Sequence, residues 1–248
     1  MSVIYSWRLF APIIRCLGTH LNEATMDKEH ISIFDENGLC IGRNQRSIAY
    51  ASGQRVGLVF IWNVWKNSDG IDKMLLQTRS RANDPFVGSI DAPAGGHIRA
   101  KESPIGAALR EWNEEVGTTI TADQLIPLGF IPVDDFFATK PRKVTQFFFL
   151  NPHESSLMET VFSEEVQAFS KVEFKSFTDL VFSRVDSIRA VVRSSEDPSS
   201  LIKRSIKKKA LSAYTPAILD VIKRSMDSIQ HYLNTSNIDP SYWSHEQK

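Results

Sequence analysis

Apolar positions between residues 30 and 100 come in short runs separated by turn chemistry, the pattern of strands and hairpins. Ile31, Ile33 and Phe34, then Asp35-Glu36-Asn37-Gly38, then Leu39 and Ile41 read as strand, turn and strand over Ile31 to Arg43. Val56 to Trp65 is rich in β-branched and aromatic residues, and Lys73 to Thr78 reads as its partner across Asn67-Ser68-Asp69-Gly70. A polar loop and the short stretch Ser89 to Ala94 lead to Gly95-Gly96, after which the pattern turns helical. Two more strands are expected at Phe130 to Val133 and Val144 to Leu150, around a loop with Asp134, Asp135 and Lys140-Pro141-Arg142. Another is expected at Ala168 to Phe174. From about Ser176 the chain reads mostly helical: Asp179 to Val191, Leu201 to Ser212 and Pro216 to Leu233. A mixed sheet with one helix inside it and helices after it makes an α/β (α+β) domain.

Composition narrows the class. The chain has 248 residues, 42% hydrophobic and 23% charged, which excludes general disorder. Lys+Arg and Asp+Glu both total 29, so attraction to nucleic acid or membrane needs a local patch. Lys203-Arg204 with Lys207-Lys208-Lys209 forms the basic cluster, and a solvated face is its simpler reading. Two cysteines, Cys16 and Cys40, exclude a disulfide-stapled scaffold and suit a reducing, cytoplasmic setting. No apolar run approaches the roughly 18–20 residues a membrane helix needs. The first 22 residues carry Arg8 and Arg15 and no acid, so a mitochondrial presequence is a minor alternative to a segment that packs or frays.

Chemistry concentrates between Gly96 and Gly117. Ser103 is an N-cap residue, Pro104 fits the first helical position and Gly117 the residue past the end, which predicts a helix over Pro104 to Val116. On a wheel of about 100° per residue, Ile105, Ala108, Leu109, Trp112 and Val116 form the buried stripe, with Glu111, Glu114 and Glu115 on the far side. Carboxylates at these spacings repel. A hard divalent cation would turn repulsion into ligation. Acid-rich solvated faces are common, however, and Arg110 could simply pair with one of these acids.

The flanking pattern decides between the two. Gly96 is followed after five residues by Glu102, and seven residues later by Arg110-Glu111-Trp112-Asn113-Glu114-Glu115-Val116-Gly117. This resembles the Nudix box, with every fixed position matched. Thr118 departs from its final apolar position, and Ile120 offers the apolar contact instead. The resemblance implies a Nudix-type α/β/α sandwich on a mixed sheet. It implies that Glu111, Glu114, Glu115 and the main-chain carbonyl of Gly95 hold Mg2+ or Mn2+, that Glu102 supports the loop or an outer metal, and that Arg110 orients Glu111. A further glutamate acts as general base in the family; Glu165 is the choice here, with Glu164 close behind. The activity implied is hydrolysis of a diphosphate linkage, with cations neutralising the polyanion and acidifying water.

Leu75-Leu76-Gln77-Thr78-Arg79-Ser80 and Ala94-Gly95-Gly96-His97 resemble the Nudix subgroup related to isopentenyl-diphosphate isomerase. Those enzymes use a cysteine near this turn; the matching position is Gly95 and no cysteine follows Cys40, which favours hydrolysis. Isomerisation of an isoprenoid diphosphate is one alternative and a non-catalytic module binding nucleotide or RNA ends another. Arg79 and Arg81 are candidate phosphate clamps, equally readable as surface arginines. Phe136, Phe137, Phe147 and Phe148 read as core rather than base-stacking residues, and His97 as structural. The expected organisation is an N-terminal segment (1–30), a Nudix domain (31–185) and a C-terminal helical extension (186–248). The expected partner is a small-molecule diphosphate, without nucleic acid or membrane; a homodimer is left open.

Overall fold

In the computed structural model, which describes residues 30–80, 86–137 and 140–244, the chain opens on the expected hairpin, β1 (His30–Phe34) and β2 (Cys40–Gln45). Its turn is fixed by Asp35, whose Oδ1 accepts from the amides of Asn37 (2.9 Å) and Leu39 (2.8 Å). Gly38 has φ +74°, and a Cβ there would run into the Phe130 ring. A short helix, α1 (Arg46–Ala51), leads into β3 (Val56–Lys66), and β4 (Asp72–Arg79) returns beside it. Then follow β5 (Ile90–Asp91), β6 (Ala94–His97), α2 (Pro104–Glu115), β7 (Ile126–Phe137), β8 (Lys140–Asn151) and β9 (Val166–Glu173). After α3 (Phe174–Val181) come β10 (Ser187–Ser194), β11 (Ile202–Lys207) and α4 (Pro216–Thr235).

All eleven strands join one mixed sheet with the path β11-β10-β9-β4-β3-β1-β2. β3 is its centre: it pairs antiparallel with β4 and β6 and parallel with β8. Covered on both faces, it is a nearly continuous apolar run rather than an alternating one. Its residues divide by parity. Leu58, Trp62 and Val64 share one core with α3 and α4; Val59, Ile61 and Trp65 share the other with Ala107, Ala108, Trp112 and Val116 of the α2 segment. Two helical layers therefore flank the sheet, an α/β/α sandwich in a mixed α+β chain.

Two expected helices are absent. Asp179 to Val191 is helical only to Val181; Ser183 at φ +60° ends it, and Ser187–Ser194 is β10. The alternation of exposed Ser187 and Arg189 with buried Ile188, Ala190 and Val192 is a strand period, and pairing with β9 realises it. Leu201 to Ser212 is β11 and a 3-10 turn: Ile202 and Ile206 face the core from the edge strand, with the intervening residues exposed. The sheet thus crosses the boundary expected at 185/186, and among the described residues α4 is the one long helix beyond it. The expected loop around Asp134 and Lys140 is instead the end of a long hairpin, with Asp134 opposite Lys143 and Asp135 opposite Arg142. No helix among the described residues is long and apolar enough to cross a membrane. The N-terminal segment with Arg8 and Arg15, and the phosphate-clamp candidate Arg81, lie outside the described residues.

Candidate active site

Helix α2 begins as its residues dictate. The Ser103 hydroxyl accepts from the Gly106 amide (3.1 Å) and Pro104 takes the first position. It ends at Gly117, where φ is +82° and a Cβ would meet Val161. The departure at Thr118 has a structural role: its hydroxyl accepts from the buried Trp112 indole N–H (2.9 Å), while Ile120 packs on the same core.

The acid face is less open than the helical wheel suggests. β4 and β6 cover it, so Glu111 is 9% and Glu115 only 4% exposed, leaving Glu114 at the surface. Gly96 lies against Glu111 so closely that a Cβ would sit 2.3 Å from its Oε1; glycine is the residue that permits the approach. Glu115 Oε2 accepts from the Gly95 amide (3.1 Å) and from Gln77 Nε2 (3.0 Å). Burial holds the Glu115 carboxyl well above the usual range, and the neighbouring Glu111 and Glu165 push it further. Glu111 is also raised, chiefly by burial, against the pull of Arg110.

Arg110 ties the site together. Its guanidinium donates to both oxygens of Glu102 (2.9 and 2.9 Å), to Glu111 Oε1 (2.6 Å), to Glu114 Oε2 (3.3 Å) and to the His97 carbonyl (2.9 Å). Glu102 also accepts from the Arg99 amide (3.0 Å), fixing the loop before the helix. Arg99 Nη2 reaches both oxygens of Glu114 (3.1 and 3.2 Å).

Of the other candidates, Glu165 is half-buried near Glu115, its backbone carbonyl accepting from the Ser80 amide (3.0 Å), whereas Glu164 is exposed. Arg79 ends β4 and pairs with the partly buried Asp91 (3.3 Å), whose carboxyl desolvation pushes up. His97 contacts the Tyr50 hydroxyl through Nε2 (2.7 Å); burial and the cations Arg46, Arg142 and Arg110 hold its pKa well below the usual value, as expected of a structural histidine. Phe147 and Phe148 are core residues on opposite faces of β8. The basic cluster lies exposed on β11 and the turn after it, where lysines also discourage strand addition to the sheet edge. Sequence reasoning missed Gln77 and Arg99. For Gln77 a signal existed: it is a polar residue at the strand position in phase with the buried Leu75.

The donors suit a hard cation, being carboxylates and main chain with no soft ligand beside them. Burying Glu111 and Glu115 together, both raised, creates a cost that a cation would offset. With Glu114 turned toward Arg99 and Arg110, no three His, Cys, Asp or Glu among the described residues converge on one point.

The chain is a three-layer α/β/α sandwich with a glycine turn packed against a carboxylate-bearing helix, and comparison with known families places it. A NUDIX domain model matches residues 57–194, more than half of the chain, and the protein belongs to that family, whose members are hydrolases of pyrophosphate bonds. An uncharacterised Nudix hydrolase of Clostridium acetobutylicum is 26% identical over 167 residues, covering 66% of this chain and 80% of that protein. One from Streptomyces coelicolor is 35% identical over 91 residues, covering 37% of this chain and 48% of its own length. Among solved structures, a MutT/nudix family protein from Enterococcus faecalis aligns with a TM-score of 0.48 at 16% identity, over 76% of this chain and 66% of that one.

Proposed function

We propose that the protein hydrolyses the diphosphate linkage of a small molecule, a nucleoside diphosphate derivative or a cofactor-like diphosphate, with Mg2+ or Mn2+. The observation that carries this reading is the burial of Glu111 and Glu115 side by side behind Gly95 and Gly96, with Glu165 close enough to raise Glu115 further. Glu111, Glu114, Glu115 and the Gly95 carbonyl would hold the cation, which would supply charge neutralisation for the substrate and acidify water. Glu102 and Arg110 hold Glu111 in place. Glu165 takes a proton from the water that attacks phosphorus. The P–O bond of the bridge breaks, and two phosphorylated fragments leave. Arg79 and Arg81 reach for the substrate phosphates, with Asp91 orienting Arg79.

A panel of diphosphate compounds, assayed with and without Mg2+ for phosphorylated products, tests the reading. Glu165→Gln should lower kcat by about 10²–10⁴ with KM little changed. Wild-type kcat in that variant removes Glu165 from the reaction. Binding of panel members without any turnover points to a non-catalytic module, and rearranged isopentenyl diphosphate without phosphate release points to an isomerase.

A further inference from the structure

Gln77 is 2% exposed in the middle of β4, opposite Asp91 of β5 and Phe169 of β9. Its side chain lies on the sheet face that α2 covers, in phase with Leu75, where an apolar residue would complete the core. Its Nε2 donates to Glu115 Oε2 at 3.0 Å. Its Oε1 is buried and has no hydrogen-bond partner among the described residues. An orphaned buried acceptor costs about 1–3 kcal/mol, so a glutamine serving only the core would be a poor choice. Turning the amide over would set Oε1 against the Glu115 carboxylate, acceptor on acceptor. The amide is therefore committed to Glu115 at the expense of its own oxygen.

Glu115 is the one box carboxylate that no arginine grips. Glu111 and Glu114 both contact Arg110, whereas the hydrogen-bond donors to Glu115 are neutral: Gln77 and the Gly95 amide, on the same oxygen. Two neutral donors on Oε2 fix the carboxylate plane and leave Oε1 for a cation, while Arg79 acts on Glu115 only through its charge and not as a donor to it.

Resting on the proposed metal-dependent reading, we infer that Gln77 is a positioning residue: it anchors Glu115 from the neighbouring strand so that the carboxylate's other oxygen is presented to the metal. The closing experiment measures Mn2+ binding to the full chain by titration calorimetry, alongside thermal unfolding in EDTA, for wild type, Gln77→Met and Glu115→Gln. Methionine matches the length and removes both the donor and the orphaned acceptor. The expected result for Gln77→Met is Mn2+ affinity weakened about 10- to 100-fold. Its metal-free melting temperature should stay within a few degrees of wild type, because the lost donor and the removed orphan offset. In turnover, the variant should need more metal for half-maximal rate, with KM for the diphosphate little changed at saturating metal. Wild-type Mn2+ affinity in Gln77→Met, with Glu115→Gln impaired, overturns the role of Gln77 alone. Equal Mn2+ affinity in all three proteins, or none in wild type, overturns the metal reading itself. A collapse of the metal-free melting temperature in Gln77→Met with unchanged affinity of the folded fraction assigns Gln77 to the core and likewise refutes the inference.

Discussion

Replacing Arg110 by methionine removes a guanidinium whose five N–H donors are all engaged, on Glu102, Glu111, Glu114 and the His97 carbonyl. The side chains of Arg110, Glu102 and Glu111 are 16%, 19% and 11% exposed, so these pairs are shielded from water; Glu114 at 45% adds little. Removing one partner of a buried pair costs about 3–5 kcal/mol, and the residual exposure here points to the lower end, about 3 kcal/mol. At roughly 2–4 °C per kcal/mol for a domain of this size, melting should fall by on the order of 10 °C. The penalty also has a sign in pH. Burial already raises Glu111, and without Arg110 it rises further. A carboxyl raised in the folded state binds a proton that the unfolded chain has released. The variant should therefore regain stability as pH falls toward the ordinary carboxylate range, by about 1.4 kcal/mol per pH unit while one group titrates. Urea denaturation in EDTA at pH 8 and pH 5 measures both quantities. A variant within about 1 kcal/mol of wild type at pH 8, or a loss equally large at pH 5, would refute the account of Arg110 as counter-charge to shielded acids.

The metal-free wild type should show a milder form of the same trend. Because Glu115 is raised well above the usual range, its contribution to stability falls as pH rises from about 4.3 to its elevated pKa, then levels; saturating Mn2+ should abolish that decline. The lowered aspartates, Asp69, Asp123, Asp179, Asp197 and Asp239, act in the opposite sense and only below the ordinary range, so the two windows separate in a pH series. His97, held well below its usual pKa, adds stability as pH rises toward about 6.5, so the Glu115 share is read as the difference from Glu115→Gln; a pH profile between 5 and 7 that is the same in both proteins contradicts the raised carboxyl. Gly96→Ala places a Cβ against the Glu111 carboxylate, which Arg110 restrains from moving; it should cost about 1–3 kcal/mol of stability and about 10²-fold in turnover, and unimpaired kcat/KM rejects the close approach.

Much of the architecture could be read from local signals. The hairpin at Asp35–Gly38, the run Val56–Trp65 and the helix between Ser103 and Gly117 each carry their own start, stop or period, and all three form where expected. The region after Val181 misled because Leu201, Ile202, Ile206, Ala210 and Leu211 are spaced as a helix would space them, while the pairing that makes Ile202–Lys207 a strand comes from Ser187–Ser194. The helical wheel placed Glu111, Glu114 and Glu115 on one face correctly, yet a wheel says nothing about what lies opposite. That β4 and β6 bury two of the three is a tertiary fact. Gln77 and Arg99 escaped notice for the same reason: their contacts to Glu115 and Glu114 bridge separations of 38 and 15 residues that no local motif spans.

Trp243 stacks on Phe148 with ring centroids 4.7 Å apart and fills the space over Gly129 that any larger residue would claim. A nascent chain leaving the ribosome therefore exposes one side of its central hairpin until almost the last of the described residues has emerged. The carboxylate helix is made long before then, but the turn bearing Glu165 and the aromatic cap at Trp243 arrive in that order. In that interval the polypeptide, with this apolar surface uncovered, is the form that chaperones and proteases would meet.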